Sequence, residues 1–222
     1  MEAAPQTRNN CRKLLMTLFQ FAATRGYAPK NHDVMDGVAK ARLTDTEIKI
    51  FTPEELKRLL ATTRPELIPY LAIGAFAGLR TAELKRLDWS EVNLSERYIE
   101  VAAKKAKTGS RRLIPITDNL YAWLTPHSAE AGPVARFAAN LGRQLGQLVA
   151  KVNQQYPDAC FEWKHNGLRH SFVSYRLASE KDTAQVALEA GNSPQVIFKH
   201  YRQLVTENEA RRWFSIFPPS SR

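Results

Sequence analysis

Cysteine is scarce. Cys11 and Cys160 are the only two, far apart and outside any CxxC pattern, which argues against a disulfide framework or a zinc knuckle and fits a reducing compartment. Long apolar runs are missing too: none approaches the roughly 18 residues that a membrane span requires. The opening Met-Glu-Ala-Ala-Pro-Gln-Thr lacks the charged-then-apolar build of a secretory signal. The chain is therefore expected to be soluble and cytoplasmic, with no membrane partner. It also has no GxxxxGKS/T phosphate loop, no GxGxxG after a strand and no HExxH motif, which sets aside the common nucleotide-binding and zinc-hydrolase sites.

Positive charge is in excess. Thirty-two Lys and Arg face 22 Asp and Glu, a formal net charge of +10. Such a surplus favours a polyanionic partner, because each cation set against a phosphate releases a condensed counterion. The plainer alternative is a basic protein kept in solution by its charge. An apolar fraction of 44% is ordinary for a globular chain and supports a real core.

Leu14, Leu15, Leu18, Phe19 and Ala22 recur at helical spacing and predict a helix from about Asn9 to Arg25, ended by Gly26. The stretch from Tyr27 to Ile50 reads as a polar linker. Thr52, Pro53 and Glu55 form a sharp helix start with a capping box. An apolar helix through Leu67, Ile73 and Phe76 follows, broken at Gly78, and Thr81–Leu87 is again helical in pattern. Between Tyr98 and Ile116 the period changes to β, with a turn at Thr108-Gly109-Ser110. Helices are predicted near 119–124, 134–153, 167–179, 182–190, 194–201 and 205–215. The fold class is thus mainly α with a small antiparallel β-sheet.

Four patches carry chemistry, and each has a plainer reading. Arg80, after the Gly78 break, is either a solvated helix-start residue or a functional cation. The hairpin with Lys104, Lys105, Lys107, Arg111 and Arg112 is either a solvated face or a device for a DNA backbone. Arg169, at the head of an apolar helix, is either half of a buried ion pair or a site residue. Tyr201, on an amphipathic helix, is either core or a nucleophile.

Their order and spacing resemble the tyrosine recombinase (phage integrase) family from about Phe51 to Tyr201. Ala-Gly-Leu-Arg80-Thr-Ala-Glu83-Leu resembles its first-arginine box, and Lys107-Thr-Gly-Ser-Arg-Arg-Leu-Ile-Pro115 its catalytic β-hairpin. Asn166-Gly-Leu-Arg169-His-Ser-Phe resembles the HxxR box, and Ala190-Gly-Asn192-Ser, nine residues before Tyr201, the Leu-Gly-His box. The family usually has His where this chain has Asn166, and His or Trp where it has Asn192. His165, His170 and His200 are present, but none holds the family's position, and their separations do not suit a metal face.

The resemblance implies a DNA breaking-rejoining catalytic fold over residues 44–222, preceded by the end of a helical core-binding domain and a linker over 1–43. It implies catalytic roles for Arg80, Lys107, Asn166, Arg169, Asn192 and Tyr201, and DNA contacts from Lys104, Lys105, Arg111 and Arg112. Tyr201 would attack the scissile phosphate to give a 3′-phosphotyrosyl link, needing neither metal nor other cofactor. Arg80 and Arg169 would meet the transition-state charge, Lys107, with Lys105 as its fallback, would protonate the leaving 5′-oxygen, and Glu83 would brace Arg80. The expected partner is double-stranded DNA, bound as a homo-tetramer on synapsed duplexes. Trp213, Phe214, Ile216 and Phe217 would pack either on a neighbour or in cis. Two other readings remain: a recombinase-fold DNA-binding protein whose cutting has decayed, suggested by Asn166 and Asn192, and a type IB topoisomerase.

Overall fold

Thr52 starts its helix as the capping pattern predicts: its hydroxyl accepts from Glu55 N–H, and the Glu55 carboxylate accepts from Thr52 N–H at 2.7 Å. The computed structural model describes residues 3–30, 35–42, 48–104, 111–201 and 204–219. The chain divides into two units, Met1–Glu47 and Ile48–Arg222.

The first unit is built on α1 (Pro5–Thr24), which begins four residues earlier than its apolar spacing suggests because Pro5 suits the first helical turn. Asn9 exchanges two hydrogen bonds with the backbone of Ala41, at 2.8 and 2.9 Å, and Arg12 Nε donates to Val38 O. Leu14, Leu18 and Phe21 are exposed on this helix.

The second unit is mainly helical. In chain order it contains α2 (Pro53–Thr62), α3 (Ile68–Phe76), α4 (Thr81–Leu84), β1 (Val92–Asn93), β2 (Tyr98–Val101), β3 (Arg112–Pro115), α5 (Asp118–Leu124), α6 (Leu141–Gln155), α7 (Gly167–Glu180), α8 (Thr183–Ala190), α9 (Pro194–Tyr201) and α10 (Glu207–Phe214). The strands form one antiparallel sheet in the order β1-β2-β3, with Ile99 opposite both Val92 and Ile114. Alternation along β2 turns Ile99 and Val101 inward and leaves Tyr98 and Glu100 less buried.

Helix α3 is the centre of the core. It is apolar on every side, and every residue from Pro69 to Phe76 is buried. Helices α5 and α7 pack against it, and α10 packs on α7 and α2. The chain then has to turn sharply, and Gly78 makes that possible. Its φ is +64°, and a Cβ there would lie 2.1 Å from Phe172 Cδ1, so neither the backbone nor the space admits a side chain.

Two predicted helices are shorter than their patterns. The segment expected to be helical over 134–153 becomes α-helix only at Leu141. Its first residues are tied elsewhere: Val134 N–H bonds Leu87 O, Trp89 N–H bonds Gly132 O, and Asp88 bridges Pro133. Helix α4 ends at Leu84: the Lys85 amide still bonds Thr81 O, but those of Arg86 and Leu87 bond three residues back, to Glu83 and Leu84.

The C-terminal apolar cluster packs largely in cis. Trp213 is fully buried, stacks on Tyr175 with ring centroids 4.4 Å apart, and donates its indole N–H to Ala75 O. Ile216 is buried, and its carbonyl accepts from Trp123 Nε1. Phe217 is 50% exposed. Trp213→Ala should therefore cost about 3–5 kcal/mol of stability, read as a lower urea midpoint, whereas Phe217→Ala should stay within about 0.5 kcal/mol of wild type.

Candidate active site

Helix α8 begins on Asp182, whose carboxylate accepts from the amides of Ala184 and Gln185. It ends at Gly191, which takes the left-handed conformation at φ +61°. The last carbonyls of a helix lack intrahelical partners and carry its partial negative charge. Here three guanidinium groups take three consecutive carbonyls. Arg112 Nε donates to Glu189 O at 3.1 Å, Arg169 Nη2 to Ala190 O at 2.5 Å, and Arg80 Nη2 to Gly191 O at 2.5 Å. A Cβ on Gly191 would stand 3.1 Å from Arg112 Nη1, so glycine serves the close approach as well as the turn.

Asn192 links two of these groups. Its Oδ1 accepts from Arg80 Nη2 at 3.0 Å and from Arg169 Nη2 at 3.2 Å. Arg169 also donates through Nη1 to Gly78 O at 2.7 Å. Burial, with Arg80 alongside, pushes the Arg169 pKa down to about 10. It still carries its charge at neutral pH.

Glu83 is the acid of the cluster. It accepts from Arg80 N–H at 2.9 Å and from Arg80 Nη1 at 3.0 Å, and it holds Arg112 through both oxygens at 2.7 and 3.2 Å. The sequence suggests a brace for Arg80 here. The structure gives the carboxylate a second arginine.

That second arginine requires a correction. The sequence groups Arg112 with the hairpin cations as a DNA contact, but its side chain is only 8% exposed and its guanidinium is held by Glu83 and Glu189 O. It sits beneath the surface because β3 runs alongside α8. Arg111, its neighbour along the strand, points the other way, exposed and paired with Glu100 at 2.6 Å. Lys104 is exposed. Lys105, Lys107 and the Thr108-Gly109-Ser110 turn lie outside the described residues.

Asn166 is exposed and occupies the N-cap of α7 in the left-handed region, φ 52°. Its Oδ1 is 3.5 Å from Thr81 Oγ1. A cleft of about 220 Å³ opens beside it, lined in part by Lys85, His165 and Arg169.

Tyr201, the last residue of α9, is 5% exposed and packs with Phe172, Val173, Val186 and Ile197. Its hydroxyl lies 2.7 Å from His170 Nδ1. Burial raises the phenol pKa, while Arg169 and Arg80 pull it back without cancelling the rise. Burial also lowers the His170 pKa, with further lowering from Arg169 and His165, which favours the neutral ring.

Sequence reasoning passes over His170 because it is not at the family's position. A signal is present nonetheless. Residues 166 and 170 are four apart, and His170 N–H bonds Asn166 O, so the two positions are one helical turn apart on neighbouring faces.

Among the described residues no group of three or more His, Cys, Asp and Glu side chains is placed to hold a metal ion. Among them also, no helix is long and apolar enough to cross a membrane.

The layout defines a DNA breaking-rejoining fold of the tyrosine recombinase type, and comparison with known proteins agrees. Residues 49–207 match the phage integrase family model, and the chain belongs to that family. It is 26% identical to the integrase of Shigella phage Sf6 over 97% of this chain and 58% of that protein. It is 30% identical to the tyrosine recombinase XerC of Vibrio cholerae over 78% of this chain and 58% of that protein. The chain thus spans little more than half the length of these curated relatives. The structure of the Tn1549 transposon integrase in complex with a circular intermediate DNA superimposes with a TM-score of 0.66 at 19% identity, covering 94% of this chain and 78% of that one.

The buried acid has a consequence for stability. Burial alone would raise the Glu83 carboxyl, but the hydrogen bonds from Arg112 and the Arg80 N–H outweigh it and hold the group below the usual carboxylate range. A depressed folded pKa supplies stability above the unfolded value of about 4.3 and loses it as pH falls through the folded one. Glu83→Gln, which leaves Arg112 buried without a counter-charge, should cost about 3–5 kcal/mol near pH 7. Urea denaturation at pH 7 and pH 3 checks this: the gap between wild type and variant should narrow at the lower pH.

Proposed function

We propose that this chain is the catalytic part of a site-specific DNA recombinase, cutting and rejoining DNA through a 3′-phosphotyrosyl intermediate at Tyr201. The observation that carries the reading is the shared contact at Asn192, where one oxygen accepts from both Arg80 and Arg169. Two guanidiniums brought that close present converging donors, which suits the non-bridging oxygens of one phosphate. With Oδ1 so engaged, Asn192 has its amide N–H to offer the same phosphate. Asn166, exposed beside the cleft, is a second such donor.

In this reading the Tyr201 oxygen attacks phosphorus, the bond to the 5′-oxygen breaks, and Lys107 supplies the proton that the leaving oxygen takes. The link keeps the bond energy for religation, so no metal or other cofactor enters the scheme. Lys104, Lys105 and Arg111 would contact the DNA backbone, and Arg112 passes from that group to the support of the arginine cluster. Four copies would act together on synapsed duplexes. The first unit would form the end of a core-binding domain, a reading supported by the exposed apolar side chains of α1. The Tn1549 relative named above was solved on DNA, which supports double-stranded DNA as the partner.

A recombinase-fold protein that binds DNA without cutting is the second reading, favoured by Asn at 166. Against it, the arginines and their acid form one hydrogen-bonded arrangement, and Tyr201 lies close enough for Arg169 and Arg80 to favour its ionised form.

Covalent trapping tests the proposal. The chain and Tyr201→Phe are each mixed with a pool of nicked duplexes that lose their 5′-hydroxyl fragment after cleavage. A denaturation-resistant protein–DNA adduct should form with wild type and vanish with the Phe variant. No adduct from wild type would favour the binding-only reading, and an adduct that survives in Tyr201→Phe would move the nucleophile elsewhere.

A further inference from the structure

The geometry points to His170 as the general base that accepts the Tyr201 proton, in place of an imidazole at position 166. The proposal rests on the recombinase reading and supplies a step that reading leaves open. A phenol with an ordinary pKa of about 10 is almost wholly protonated near pH 7, and burial raises Tyr201 above that value. The amide at 166 has no site that can take up a proton under these conditions. His170 Nδ1 stands 2.7 Å from the phenol oxygen, within the reach required of a general base.

The surroundings suit that role. His170 is half-buried, and burial and Arg169 disfavour its cation, which favours the neutral ring that a general base has to be. Its tautomer in this role carries the proton on Nε2. The same arginine would oppose the imidazolium formed by proton transfer, and a phosphate bound between Arg80 and Arg169 relieves that opposition. Tyrosine activation is thereby coupled to occupancy of the site.

The step balances. The proton leaves Tyr201 Oη for His170 Nδ1 as the oxygen–phosphorus bond forms. The bond from phosphorus to the 5′-oxygen breaks, and that oxygen takes a proton from Lys107. In religation the 5′-hydroxyl returns its proton to Lys107, and His170 hands its own back to the departing tyrosine.

The test uses the full chain and the nicked duplexes that wild type traps, with single-turnover cleavage as the readout. His170→Asn keeps a polar group near the Nδ1 position but cannot take a proton, and it should cleave roughly 10²–10⁴-fold more slowly. Both proteins are then prepared with a fluorinated, more acidic tyrosine at position 201. A base at 170 predicts that the gap between wild type and variant shrinks by about tenfold or more, since an acidic phenol depends less on the base. A purely positioning role predicts an unchanged gap and would overturn the assignment, as would an undiminished rate in His170→Asn with ordinary tyrosine. His170→Gln, carried through the same comparison, decides between base and positioning roles if the Asn variant does not fold by circular dichroism. No adduct from wild type at all would overturn the recombinase reading and this proposal with it.

Discussion

Guanidinium groups repel one another, and in this structure three of them are drawn to the end of a single short helix. Arg80 and Arg169 each place an Nη2 within hydrogen-bond distance of Asn192 Oδ1, at 3.0 and 3.2 Å. Two unit charges about 4 Å apart in a medium of effective dielectric about 20 repel by roughly 4 kcal/mol, and by less as they separate. A helix C-terminus offers a cation at most about 2 kcal/mol in a partly buried setting, and three cations share the carbonyls of α8. Glu83 adds an opposing charge, holding Arg112 through both oxygens and Arg80 through one. Three positive charges against one negative still leave a surplus. A phosphate would be attracted to such a surplus.

This constraint explains features of the fold that otherwise look incidental. Gly78 must adopt φ +64° against the Phe172 ring so that the chain turns out of α3 and carries Arg80 to α8, and its carbonyl also accepts from Arg169. Gly191 turns the chain at φ +61°, and a Cβ there would crowd Arg112 at 3.1 Å. Helix α7 brings Arg169 and His170 to the site from adjacent positions, while Tyr175 on the same helix is stacked under Trp213. The C-terminal helix, packed in cis, therefore fixes the helix that carries two site residues.

Much of this is legible in the sequence where local chemistry decides the outcome. Thr52 and Glu55 spell out their capping box in plain spacing, the Gly191 stop and Pro194 restart are evident, and the four boxes identify the fold. The rest depends on contacts between distant segments. Nothing near residue 134 announces that Val134 will pair with Leu87 instead of joining a helix. Arg111 and Arg112 are adjacent cations in one basic run, and only the pleat of β3, with α8 on one side, sends one to Glu100 in solvent and the other to Glu83 inside. Charge counting cannot separate them, because strand parity has no sign in composition.

His170 shows the same limit at the site itself. Matching by family position asks which residue occupies a given column, and the column at 166 holds an asparagine. The chemical requirement of the proposed step is different: a nitrogen lone pair within about 3 Å of the phenol oxygen. A helix offers more than one backbone position from which a side chain can reach such a point, since residues four apart lie nearly above one another. Tyr201 is buried toward α7, in the cluster with Phe172 and Val173, and this draws its hydroxyl to position 170 rather than to exposed Asn166. The direction in which the tyrosine is packed thus selects which neighbour it meets. A departure from the family's pattern at one residue has to be judged by what stands within reach of the proposed nucleophile, a matter of side-chain packing around α7 and α9 that no single motif encodes.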